Sequence, residues 1–86
     1  ERVQMRFAAH LAGAVMDRFG KEAPFRLLED GSFTVTVEVA VSPRFYAWIF
    51  GFGPDAQILA PAKVREGMAR MLAQVAGLYE KKEGTL

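Results

Sequence analysis

From Phe33 to Val41 the chain alternates without a break. Phe33, Val35, Val37, Val39 and Val41 fall on one side of the period, and Thr34, Thr36, Glu38 and Ala40 on the other. A period of two marks a pleated strand with one dry face and one wet face. The β-branched residues suit that surface. A slip of one residue would turn every valine to water, so the register is tightly specified. A chain with such a run must build a sheet and lay something apolar over its valine side.

The remaining patterns supply the cover. Val3, Met5 and Phe7 alternate with Gln4 and Arg6, which reads as a short half-buried strand. From Ala8 the period changes: Ala8, Leu11, Ala12, Val15, Met16 and Phe19 recur at helical spacing, and Gly20 stands at a helix stop. This predicts a helix over Ala8 to Phe19. Phe25 to Leu28 leads into Asp30-Gly31, a hairpin signal, because both residues tolerate positive φ. Ser42-Pro43 starts a helix, with a hydroxyl to cap open amides and a proline at the first helical position. Phe45, Trp48, Ile49 and Phe52 give it an apolar face, and Gly51, Gly53 and Pro54 end it. Gln57-Ile58-Leu59 reads as a last short strand. Pro61 opens a longer helix whose stripe runs through Val64, Met68, Met71, Leu72, Val75, Leu78 and Tyr79.

The order strand, helix, strand, strand, helix, strand is that of the split βαβ arrangement. The expected fold is therefore α+β, a ferredoxin-like βαββαβ sandwich with an additional C-terminal helix. Right-handed crossovers place the first two helices on one face of a four-stranded antiparallel sheet. Residues 1–79 are expected to form one domain, with 80–86 fraying as a tail. One domain also suits a chain of 86 residues. An apolar share of 51% can fill its core, and the absence of cysteine removes disulfides and thiolate metal sites from consideration. The net charge of +1 argues against a chain built mainly to coat nucleic acid. No run of about 18 apolar residues exists to span a membrane. No export leader is visible, so a cytoplasmic location is expected. The chain starts at Glu1 and not at methionine, which reads as a piece of a longer protein.

Reactive chemistry is sparse. His10 is the only histidine and lies opposite the Leu11/Val15 stripe, a solvated position. Ser42 is a cap and Ser32 borders a turn; neither lies in a nucleophile elbow. Gly51-Phe52-Gly53-Pro54 lacks the strand before it and the lysine after it that a phosphate loop needs. No catalytic residue, metal ligand or cofactor is expected. An acylphosphatase-like site of this topology would use an asparagine, and the chain has none. An RNA-recognition motif would put aromatics on the open sheet face, whereas Phe7 and Phe33 fall in phase with the core.

What the open face does offer is Gln4, Arg6, Thr34, Thr36 and Glu38, with Arg26 on the neighbouring strand. Arg6, Arg26 and Thr36 are the expected effector contacts, although the same residues also read as ordinary solvated strand positions. A second surface is expected on the helices. Tyr46 and Phe50, four apart, sit on a flank separate from the Phe45/Trp48/Ile49/Phe52 face. Ala69, Ala73 and Ala76 form a small-residue strip on the last helix. These five are expected at an oligomer interface.

Several strings resemble a known family. Ala47-Trp48-Ile49-Phe50-Gly51-Phe52-Gly53, then Ile58-Leu59-Ala60-Pro61, then Val64-Arg65 and a helix ending in Leu78-Tyr79, look like the C-terminal extension, or WCX domain, of WYL-domain helix-turn-helix transcriptional regulators. Glu29-Asp30-Gly31 before an alternating strand and the Arg6-Phe7 strand ending fit the same pattern. Ala60 departs from it, since the family often carries an acidic residue there. The resemblance implies a regulatory domain of a bacterial regulator that contributes to dimerisation and to sensing a nucleic-acid or small-molecule effector. It also implies a homodimer that contacts DNA through an N-terminal winged helix absent from these residues. The competing expectation is a stand-alone small-molecule-binding module of the amino-acid-sensing type, which uses the same topology.

Overall fold

The computed structural model describes residues 1–80. β1 spans Arg2–Phe7, α1 Ala12–Phe19, β2 Phe25–Leu27, β3 Phe33–Glu38, α2 Pro43–Phe50, β4 Ala56–Ala60 and α3 Ala62–Tyr79. The sheet has the order β2-β3-β1-β4, with every pairing antiparallel. This is the ferredoxin-like arrangement, with α3 as the additional C-terminal helix. The tail expected over 80–86 lies, from residue 81 on, outside the described residues.

Period two explains the core. Val3, Met5 and Phe7 of β1 are fully buried, as is Val35 of β3, and Ile58 of β4 lies in the same layer. Val15 of α1 and Phe45 and Ile49 of α2 close over them, with Val37, Val39 and Val41 packed at the margin. The valine side of the alternating run therefore faces the helices. Phe7 joins the two layers: its ring is 5.7 Å from Phe33, 5.9 Å from Trp48 and 6.2 Å from Phe52, centroid to centroid. Phe33 stacks on the Phe7 ring, whereas Trp48 and Phe52 meet it edge to face, and both geometries suit the ring quadrupoles. The Arg18 guanidinium covers the outer side of Trp48, 5.1 Å from its centroid.

Element ends differ from expectation by a turn or less, for local reasons. The first helix begins as a 3-10 turn over Ala9–Leu11 and becomes α-helical only at Ala12. Ala8 has no capping side chain, and the tighter turn satisfies the first amides instead. Ser42 does cap α2, its hydroxyl accepting from the Phe45 amide at 3.2 Å, with Pro43 in the first turn as expected. β3 ends at Glu38, opposite Arg2, and leaves Val39 and Val41 in the connection to α2. β4 extends one residue beyond expectation at each end. Its ladder with β1 shifts register between Gln4 and Met5, which makes Leu59 the extra residue of a bulge.

The largest departure concerns α3. Only Val64, in its first turn, is buried, and Met68 packs at the edge of the core. Beyond Leu72 the helix is exposed on all sides through Tyr79, and the molecule measures 52 × 25 × 21 Å.

Candidate functional site

The face of the sheet turned away from the helices is crossed by one polar row. Arg26 of β2 stands opposite Thr34 of β3, Thr34 opposite Arg6 of β1, and Arg6 opposite Gln57 of β4. Neighbours in such a row are about 5 Å apart, so the two arginines sit roughly 10 Å apart across the strand between them. Thr34, flanked by both, is only 7% exposed. The next row holds Thr36 opposite Gln4, and the row beyond pairs Glu38 with Arg2. The three residues expected to contact an effector thus share one face. Arg6 and Arg26 belong to one row, and Thr36 stands two residues along β3 from it, half-buried.

Arg6 is partly engaged. Its Nη2 lies 3.5 Å from Oδ2 of Asp30, in the loop between β2 and β3. Asp30 is shaped for this by the loop itself. Its Oδ1 accepts from the Ser32 amide at 2.9 Å and from the Ser32 hydroxyl. The Leu28 amide donates to the Ser32 carbonyl at 2.8 Å, and Gly31 takes the left-handed φ of 90° that closes the turn. The Ser32 hydroxyl and amide, and after them the nearby Arg6 charge, hold the Asp30 carboxyl below the usual aspartate range. Arg26 is exposed and has no ion-pair partner among the described residues. The hairpin signal was legible at Asp30-Gly31. The reach of Asp30 across to β1 was not, because it depends on strand order.

The second expected surface divides. Tyr46, expected on an exposed flank with Phe50, is instead turned against α3. Its hydroxyl donates to the Val64 carbonyl at 3.2 Å, and its ring covers Gly67. It belongs to the packing between α2 and α3 and is half-buried there. Phe50 remains outside, 58% exposed. It stands at the rim of an apolar groove of about 470 Å³ whose walls include Ile49, Ile58, Met68, Ala69 and Leu72. Arg65 borders the groove and donates to the Leu59 carbonyl at 3.4 Å. Ala73 and Ala76 lie farther out on α3, exposed. Reading α3 by its alanines missed that its larger apolar stripe is also uncovered: Leu72, Val75, Leu78 and Tyr79 are 36, 45, 79 and 83% exposed.

Reactive groups do not converge. Among the described residues no group of three or more histidine, cysteine, aspartate or glutamate side chains could hold a metal ion. His10, solvated as expected, has Asp55 as its neighbour at 3.4 Å. Among the described residues no helix is long and apolar enough to cross a membrane.

No curated protein matches the chain. The WCX domain family profile matches residues 1–76, nearly the whole described fold, including the sheet with its Arg26–Thr34–Arg6–Gln57 row and most of α3. The chain therefore belongs to the WCX domain family.

Proposed function

We propose that this WCX domain is a regulatory domain of a bacterial WYL-type transcriptional regulator. It performs no bond chemistry, contributes to assembling the dimer, and senses an anionic effector on its open sheet face. In the parent protein, a cytoplasmic regulator, DNA is contacted by an N-terminal winged helix. Membership in the family supports the regulatory reading. The observation that carries the effector assignment is the polar row, with two guanidinium groups flanking a buried threonine on a face that no helix covers. Guanidinium forks match the oxygens of phosphate and carboxylate. Asp30 occupies one side of Arg6 until an incoming anion competes for it. Exchange of that partner would bias the arrangement of whole domains, a population shift.

The effector favoured by a flat, open, arginine-bearing strip is single-stranded nucleic acid, held by phosphate contacts and not by base stacking, since none of the described strand residues puts a ring on this face. Fluorescence anisotropy with a labelled single-stranded oligonucleotide over a salt series tests this. Affinity is expected to fall as salt rises, and Arg6→Ala and Arg26→Ala each to reduce the salt slope by about 1. Absence of binding at low salt, or binding indifferent to both substitutions, overturns the assignment. Thermal stabilisation by a small metabolite without salt dependence would favour the stand-alone small-molecule module instead.

A further inference from the structure

Tyr46 and Gly67 hold α2 against α3 at one close contact. One turn farther along, the two helices and β4 leave a groove between them. Ile49 and Ile58, both buried, reach its inner side, Met68 and Leu72 form the α3 wall, and Phe50 stands exposed at the rim. Its volume of about 470 Å³ lies in the range of small-molecule pockets, which are mainly apolar and carry a few polar groups that fix orientation.

Here the charged group is single and of one sign. Arg65 is the one charged side chain on the border, and among the described residues no carboxylate lines the groove. Nor does any carboxylate pair with Arg65 among the described residues. Arg65 is nevertheless held. One Nη donates to the carbonyl of Leu59, the extra residue of the β4 bulge, at 3.4 Å. Bulges re-aim groups in this way beside binding sites. A guanidinium has five donors, so the bond to Leu59 fixes the fork and leaves the other donors for an anion.

We propose that this groove binds a small amphipathic organic acid, its acyl or aryl body on Ile49, Ile58 and Met68 and its carboxylate on Arg65. The walls favour such a body over a peptide, whose amides would lie against side chains that cannot pair with them. A planar guanidinium matches the two oxygens of a carboxylate. The site goes beyond the sheet-face reading and uses none of Arg6, Arg26 and Thr36.

The test titrates the 86-residue chain with hexanoate, octanoate and decanoate, following affinity by calorimetry and position by methyl NMR. Saturable binding is expected, tightening by up to about fourfold per added methylene. The methyl signals of Ile49, Ile58 and Met68 should shift together. Arg65→Met keeps an apolar stem and removes the charge. It should weaken decanoate by about tenfold and leave decanol unchanged. Ala69→Phe, at an exposed helix position on the groove wall, should block both ligands while the circular dichroism spectrum matches that of the parent chain. Arg6→Ala should leave decanoate binding unchanged, which separates this site from the sheet face. Shifts scattered over the surface, decanoate affinity indifferent to Arg65→Met, or no saturation overturns the proposal. So do groove methyl signals that respond to protein concentration and not to decanoate, since a second copy would then be the occupant. None of these outcomes touches the oligonucleotide measurement, which judges the sheet face separately.

Discussion

Tyr46 shows how much one atom can decide. A Cβ built on Gly67 would lie 2.3 Å from the Tyr46 hydroxyl oxygen and 3.2 Å from the ring carbon that bears it. Glycine inside a helix ordinarily costs up to about 1 kcal/mol relative to alanine. At position 67 close packing reverses that preference. Gly67→Ala is expected to destabilise the domain by about 1 kcal/mol, overpacking outweighing the propensity gained. Gly77→Ala, with open space around it, is expected to be neutral or mildly stabilising. Urea denaturation of the two variants separates these outcomes. The cost at Gly67 should shrink in a Tyr46→Phe background, where the hydroxyl is gone, but not vanish, because the ring carbon stays close. None of this was legible in the sequence. Helical phase put Tyr46 on a flank of α2, and no local pattern could reveal that α3 would pass beneath that flank with a glycine at the contact.

At the scale of elements, legibility followed the strength of the local signal. β3 was legible because five alternating apolar residues admit one pleat and one buried side. α2 was legible because Ser42 and Pro43 state its start chemically. The start of α1 was not, because nothing caps it. α3 was read as an amphipathic helix, correctly, but periodicity reports that a face wants cover and not what covers it. The β2–β3 hairpin carries a pH signature of its own. The Asp30 carboxyl, lowered chiefly by its hydrogen bonds from Ser32 and then by Arg6, titrates below the ordinary aspartate value of 3.8. A group with a depressed folded pKa stabilises fully above its unfolded value, and the contribution is lost as pH falls through the folded one. The thermal stability advantage of the parent chain over Asp30→Asn is therefore expected to be constant from neutral pH down to about pH 4. It should then decline toward zero on further acidification. Paired melting curves at descending pH measure it; an advantage that grows below pH 4 would contradict the assigned sign. Asp30→Asn should also loosen the hold on Arg6 and strengthen oligonucleotide binding at neutral pH.

The whole molecule is two unequal parts joined along α3. One is a sheet with α1, α2 and the first turns of α3 laid against it; the other is a helix arm. A compact chain of this length would have a radius of gyration of about 12 Å, whereas the molecule has 14.9 Å, and the arm accounts for the excess. Stability should divide the same way. Phe7, fully buried, contacts rings from β3, α2 and the turn after it. Truncating a buried phenylalanine costs about 3–5 kcal/mol, against a total of only about 4–13 kcal/mol for a domain of this size. Phe7→Ala is thus expected to leave the chain largely unfolded, or to lower its urea midpoint steeply. Leu78→Ala, on the arm, should change the unfolding free energy by less than about 0.5 kcal/mol when measured dilute enough that copies do not meet. Trp48 is the only tryptophan and packs edge-on to Phe7, so its fluorescence follows the core, while helical dichroism follows core and arm together. In Phe7→Ala the two signals should be lost together. In the dilute parent chain, part of the helical signal should melt before Trp48 responds, because the arm lacks the packing that makes the rest cooperative. Coincident curves at every concentration would mean that the arm is held by its own domain.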